Sequence, residues 1–133
     1  MKSPRSSKNK GRRLQNFVRD KLRDGFPTLE EDDIKSQTMG MTGEDIVLSP
    51  AARKSIPFSF ECKNQEKLPL WKSLDQATEN APNEMTPVLV FKRNRSETYA
   101  AIPFTKFLEL IKTCWIRNWI TRIKLLSNNR HKS

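Results

Sequence analysis

The run "PVLVFK", Pro87 to Lys92, constrains the fold most, because it is apolar on both faces. A strand of that kind is covered on both sides, and helices are the usual cover. Helical marks stand on either side of it. In "KGRRLQNFVRDKLRDGF", Leu14, Phe17, Val18 and Leu22 keep a helical spacing, and Gly25 is a stop. Pro69 opens a second helix to about Glu79, since proline suits the first helical position. From Phe104 the chain reads as helical to about Leu126. "IKSQT", "EDIVLS", "FSFEC" and "TYAAIP" are further strand candidates, with Ile46 and Leu48 on one face of the second. "PTLEEDD" reads as an acidic turn, "MGMTG" as a flexible turn, and "PAARKSIP" as a loop closed by a proline at each end. The order implies an α/β chain: a mixed central β-sheet flanked by helices, with a basic amphipathic C-terminal helix.

The 133 residues suffice for one domain. Residues 1–9, Ser, Lys and Arg around one proline, read as a basic disordered tail. Residues 10–112 read as the folded domain, and 113–133 as the C-terminal helix and tail. The formal charge of +10 sits at the ends. Residues 1–13 and 112–133 each hold six Lys or Arg and no acid, while residues 14–111 hold 13 bases and all 15 acids. Cationic ends suit a polyanion, nucleic acid before an anionic membrane surface. Cys62 and Cys114 form no CxxC, so neither a zinc site nor a disulfide framework is indicated. There is no leader pattern and no apolar run near the ~18 residues of a membrane span. The expectation is a cytoplasmic protein of a bacterial, archaeal or phage-infected cell.

"FSFECKNQEK" alternates, with Ser59, Glu61 and Lys63 on one face and Phe58, Phe60 and Cys62 on the other. The apolar set is assigned to the core, leaving the acid–lysine face to look out into a groove. If "EDIVL" and "FSFEC" form a hairpin turning near Arg53, Asp45 and Glu61 are cross-strand neighbours. Two carboxylates that close repel each other, and a divalent cation relieves the conflict. Magnesium takes oxygen ligands and needs one or two carboxylates plus substrate phosphate. A lysine beside it can orient water or meet developing charge.

At these residues the chain resembles the PD-(D/E)XK nuclease superfamily. "GEDI" followed by "ECK" is similar to its D…ExK signature. "MGMTGED" resembles the loop before the metal-binding Asp of archaeal-type Holliday-junction resolvases, some of them phage-encoded. The resemblance covers roughly residues 10–111 and implies a restriction-endonuclease-like sheet. It implies that Asp45, Glu61 and the backbone carbonyl of Cys62 bind Mg2+ or Mn2+, one or two ions per subunit. It also implies that Lys63 acts on the water and that Gln76, in "LDQA", lies near the active site. Resolvases of this kind usually carry a Glu in the first helix; here "KGRRLQ" offers Gln15, which reaches a metal only through a water and adds no charge. Glu44 points to the opposite face and is not assigned as a ligand.

The function so implied is metal-dependent endonucleolytic cleavage of DNA, at four-way junctions first, in phage recombination, repair or packaging. The alternatives are a sequence-specific or nicking nuclease of the same superfamily, and a non-catalytic DNA-binding protein on that fold. Lys10, Arg12, Arg13, Arg19, Lys35, Arg53, Lys54 and Lys72 are candidate phosphate contacts, with Ser36, Thr38 and Thr42 as hydroxyl donors. In "CWIRNWITRIKLL", Trp115, Ile116, Trp119, Ile120 and Ile123 recur at helical spacing. A homodimer interface is the first reading of that face, packing on its own domain the second, and an in-plane membrane helix the third. His131 has no partner in view and receives no catalytic role.

Overall fold

The computed structural model describes residues 3–130. His131, the other terminal residues and part of the expected basic tail lie outside them. The chain divides into two compact units, Met1–Ile102 and Pro103–Ser133.

The first unit opens with α1 (Pro4–Gly25), which is longer than its apolar spacing implies. Ser3 accepts a hydrogen bond from the Ser6 N–H, and Pro4 stands in the first turn, so the start is capped. Residues 4–9 are thus helical, and the disordered tail assigned to 1–9 is corrected to that extent. A short 3-10 turn, Glu31–Asp33, leads into β1 (Ile34–Ser36), which pairs antiparallel with β2 (Ile46–Leu48). The stretch read as a loop is α2 (Pro50–Ser55). Ser49 caps it, accepting from the Ala52 N–H, and Ser49 Oγ donates to Asp33 at 2.6 Å.

The helix at 50–55 removes the expected hairpin. β3 (Phe58–Asn64) does not pair with β2 through a tight turn. It pairs in parallel with β4 (Thr86–Lys92), which pairs antiparallel with β5 (Tyr99–Ala101). The mixed sheet is therefore three-stranded, in the order β3-β4-β5, with β1-β2 as a separate ribbon. α3 (Leu70–Asn80) makes the crossover from β3 to β4, with Pro69 as its N-cap and not its first residue.

Both faces of the central strands are covered, as "PVLVFK" requires. Leu14 and Val18 of α1 join Cys62, Val88 and Val90 in the buried core, and Phe58 and Phe60 pack against it. On the opposite face, Ser73 and Ala77 of α3 are buried, as are Ser59, Glu61 and Leu89. Small side chains on α3 let the helix approach the sheet closely. The face of Ser59 and Glu61 therefore does not look out into open solvent. Glu61 is only 3% exposed.

The second unit is dominated by α4 (Phe104–Arg130), one continuous helix reaching beyond Leu126. None of its residues is buried. Its apolar stripe is not straight. At ~100° per residue, Phe104, Leu108, Ile111 and Trp115 fall on one side, while Ile116, Trp119, Ile120 and Ile123 lie about a quarter turn away.

Candidate active site

Asp45 lies just before β2, and its main chain serves two neighbours. Its N–H donates to Phe60 C=O at 2.9 Å, and its C=O accepts from Gln37 N–H at 2.8 Å. The side chain is fixed as well, with Oδ2 accepting from the Cys62 N–H at 2.6 Å. These bonds bring Asp45 to the middle of β3 beside Glu61, the neighbour that the hairpin was meant to supply. The juxtaposition stands, and its cause is different.

Glu61 has two partners of its own. Lys63 Nζ is 3.5 Å from Oε1, and Asn80 Nδ2 donates to Oε2 at 3.4 Å. Burial raises the pKa of Asp45, against hydrogen bonds from Cys62 and Gln15 and the charge of Lys63. Burial also raises that of Glu61, and the charge of Asp45 raises it further. A single lysine does not offset two half-desolvated carboxylates. The Cys62 thiol is held far above its usual range, chiefly by burial and then by the two acids, so it remains a neutral core group.

The pair opens into a cleft of about 650 Å³ between the 41–43 turn and α3, lined also by Lys72, Asp75, Gln76, Glu79 and Asn80. Gln76, which the resemblance sets near the active site, and the candidate phosphate contacts Lys72 and Thr42 all line this cleft. Asp75, Glu79 and Asn80 were missed. Their signal was available, since residues 72, 75, 76, 79 and 80 share one face of a helix.

Gln15 is buried against Asp45. Its Nε2 approaches the Asp45 carbonyl at 3.5 Å, while its Oε1 is buried with no hydrogen-bond partner. Among the described residues no three His, Cys, Asp or Glu side chains converge to form a closed cage. The available donors are two carboxylates and carbonyl oxygens. That hard-oxygen set fits a cation of the magnesium type, which keeps waters and shares substrate phosphate.

The expected phosphate contacts do not gather in one place. Arg53 is turned inward and paired with buried Glu44, so it is removed from the list of exposed cations. The Arg53–Glu44 pair thereby ties α2 to the residue before Asp45. Arg19 bonds to Asp20 and Asn16, Ser36 donates to Asn16 at 2.9 Å, and Lys35 stands 3.7 Å from Asp32. Arg12, Arg19, Ser36 and Thr38 share a shallow depression with Gln15, and Lys54 is exposed on α2. Lys10 and Arg13 line a different groove. Trp115, Ile116, Trp119, Ile120 and Ile123 are all exposed on α4, with the two indoles stacked at 6.3 Å between centroids.

No curated protein and no solved structure matches the chain. One protein family does, over residues 6–132, and it is described as "Phage putative PDDEXK endonuclease". The match spans Asp45, Glu61 and Lys63 and nearly the whole sequence, and the chain belongs to this family of PD-(D/E)XK nucleases.

Proposed function

We propose that the chain is a metal-dependent DNA endonuclease whose reaction centre is the cleft at Asp45 and Glu61, with Lys63 beside Glu61. The observation that carries this reading is the placing of two neighbouring carboxylates, Asp45 and Glu61, on the wall of an open cleft, with Lys63 Nζ 3.5 Å from Glu61. Such a pair must either keep a proton or be met by a compensating positive charge, and a divalent cation is the second solution. Asp45, Glu61 and the Cys62 carbonyl would hold a Mg2+ or Mn2+ ion, with one or two per subunit depending on what Gln15 contributes. When bound, the cation supplies Lewis acidity toward the scissile phosphate.

The chain's own side chains have separable tasks. Asn80 and Lys63 grip the two oxygens of Glu61 and fix its orientation. The Cys62 N–H does the same for Asp45. The Lys63 ammonium, paired with Glu61, would orient the attacking water and meet the charge growing on the phosphate. Gln76 and Lys72, on the α3 wall, would contact the backbone of the DNA strand being cut. Water adds to phosphorus as the bond to the 3′ oxygen breaks, leaving a 5′-phosphate and a 3′-hydroxyl.

The substrate proposed first is branched DNA, the four-way junction, on the resemblance of "MGMTGED" to the resolvase loop. A homodimer fits that substrate, because a two-fold pair of clefts can cut both strands. The exposed Trp115–Trp119 half of α4 is the proposed dimer contact. The test is a panel of labelled four-way junction, flap and linear duplex, incubated with Mg2+ and with EDTA. Paired symmetric cuts in the junction alone would support a resolvase. Equal cutting of linear duplex would replace it with a sequence-specific or nicking nuclease. Tight binding with no cutting under any divalent cation would leave a DNA-binding protein on a nuclease fold.

A further inference from the structure

A second groove, of about 550 Å³, lies on the other side of β3, between α1 and the turn that joins β4 to β5. Its cations are Lys10 and Arg13 from α1, Lys92 at the end of β4, and Arg95 in the turn, and no acid lines it. Asn94 and Thr98 add neutral polar groups. Asn64 also lines it, with its Oδ1 turned into the protein, where it is buried without a hydrogen-bond partner.

The turn is built to hold this shape. Glu66 accepts from the Asn94 N–H at 3.0 Å and stands 4.0 Å from Lys10 Nζ, tying the turn to α1. Ser96 Oγ accepts from the Arg93 N–H at 3.0 Å, and Ser96 N–H donates to Arg93 C=O. Within this frame Arg95 has φ 61, the left-handed conformation that glycine or asparagine adopts at least cost. Glu84 shares this conformation at φ 70, so the conformation alone assigns no role, and it is the position of Arg95 in the groove that singles it out. Arg95 lines the groove together with Lys10, Arg13 and Lys92.

We propose that this groove binds the phosphate backbone of nucleic acid, apart from the cleft at Glu61, with Arg95 as its anchor. The nuclease reading supplies only the identity of the polyanion. The cationic lining and the Arg95 conformation stand without it. Asn64 follows Glu61 by three residues, roughly 10 Å along a strand. The two sites are thus close along β3 but on opposite faces of it.

The test uses the full chain, a labelled duplex, EDTA to stop cleavage, and a salt titration. Arg95→Gly should weaken binding about five- to tenfold near 0.1 M salt and reduce the salt slope by about 1, the mark of one lost phosphate contact. Its Tm should be unchanged or higher, because glycine relieves the backbone. Lys92→Gln should weaken binding in the same direction. Unchanged affinity and slope in both folded variants would overturn the proposal. A lower Tm for Arg95→Gly would overturn the strain argument, and Lys92→Gln alone would then decide the site. If wild type cuts DNA while both variants bind as it does, the groove falls and the nuclease reading stands. If wild type neither binds nor cuts, both fall.

Discussion

The acidic cleft and the cationic groove lie on opposite faces of one strand, and they solve opposite problems. The cleft gathers Asp45, Glu61, Asp75 and Glu79 where a phosphodiester would be broken, so without a cation it repels its own substrate. The groove gathers Lys10, Arg13, Lys92 and Arg95 where nothing is broken. On the proposed reading, chemistry belongs to one side of β3 and most of the affinity to the other, so each would be set against its own electrostatic cost. The cleft is destabilised by desolvated like charges, and the groove by one backbone in the left-handed region.

Substitutions in the cleft should break the comparison most sharply. Glu61→Gln should lose roughly a thousandfold or more in cleavage, yet bind duplex in EDTA as well as wild type or better. Single-turnover cleavage and a binding titration on the same preparation check both halves. Next, Lys63→Ala should lose roughly a hundred- to a thousandfold in rate, with its cleavage still dependent on Mg2+. Equal loss of DNA affinity in EDTA would move Lys63 to the binding side of the division.

Arg53→Ala tests the support under the cleft. Removing it leaves Glu44 buried and unpaired next to Asp45, which should cost about 1–3 kcal/mol on urea unfolding, allowing for the partial exposure of Arg53. The groove should be untouched, so duplex binding in EDTA should persist.

The smallest effect expected is on pH dependence in EDTA. Asp45 and Glu61 have folded pKa values above their ordinary ones. The fold therefore holds more protons than the unfolded chain in the window above the usual carboxylate range. The stability these groups contribute is full below that range and is lost as pH rises through their raised values. Asp33 has the opposite sign: its hydrogen bonds from Ser49 and the Glu30 N–H lower its pKa. Its contribution is present above the usual range and lost as pH falls through the lowered value. Metal-free Tm should consequently decline as pH rises from the carboxylate range toward neutrality, and Glu61→Gln should flatten that decline. A wild-type profile already flat there would mean that the pair is solvated in solution.

The two sides of β3 were not equally legible in the sequence. "GEDI" and "ECK" located Asp45, Glu61 and Lys63, because strand alternation and the resemblance both point to them. The path between them was misread. "SPAARKS" carries a serine cap and a first-turn proline, which are helix signals, yet its two flanking prolines read as loop closures. Burial of Glu61 was not legible, because it depends on how closely Ser73 and Ala77 let α3 approach. The groove was half legible. Lys10 and Arg13 stood out as cations, while Lys92 and Arg95 join them only through the parallel β3–β4 pairing and a turn conformation that no local pattern specifies.

The most direct test of the central claim is cleavage and binding of one labelled four-way junction by wild type and Asp45→Asn, each with Mg2+ and with EDTA. The account predicts cutting by wild type in Mg2+ alone, no cutting by Asp45→Asn, and binding by both. Cutting by Asp45→Asn at the wild-type rate, or wild-type cutting that persists in EDTA, would contradict it.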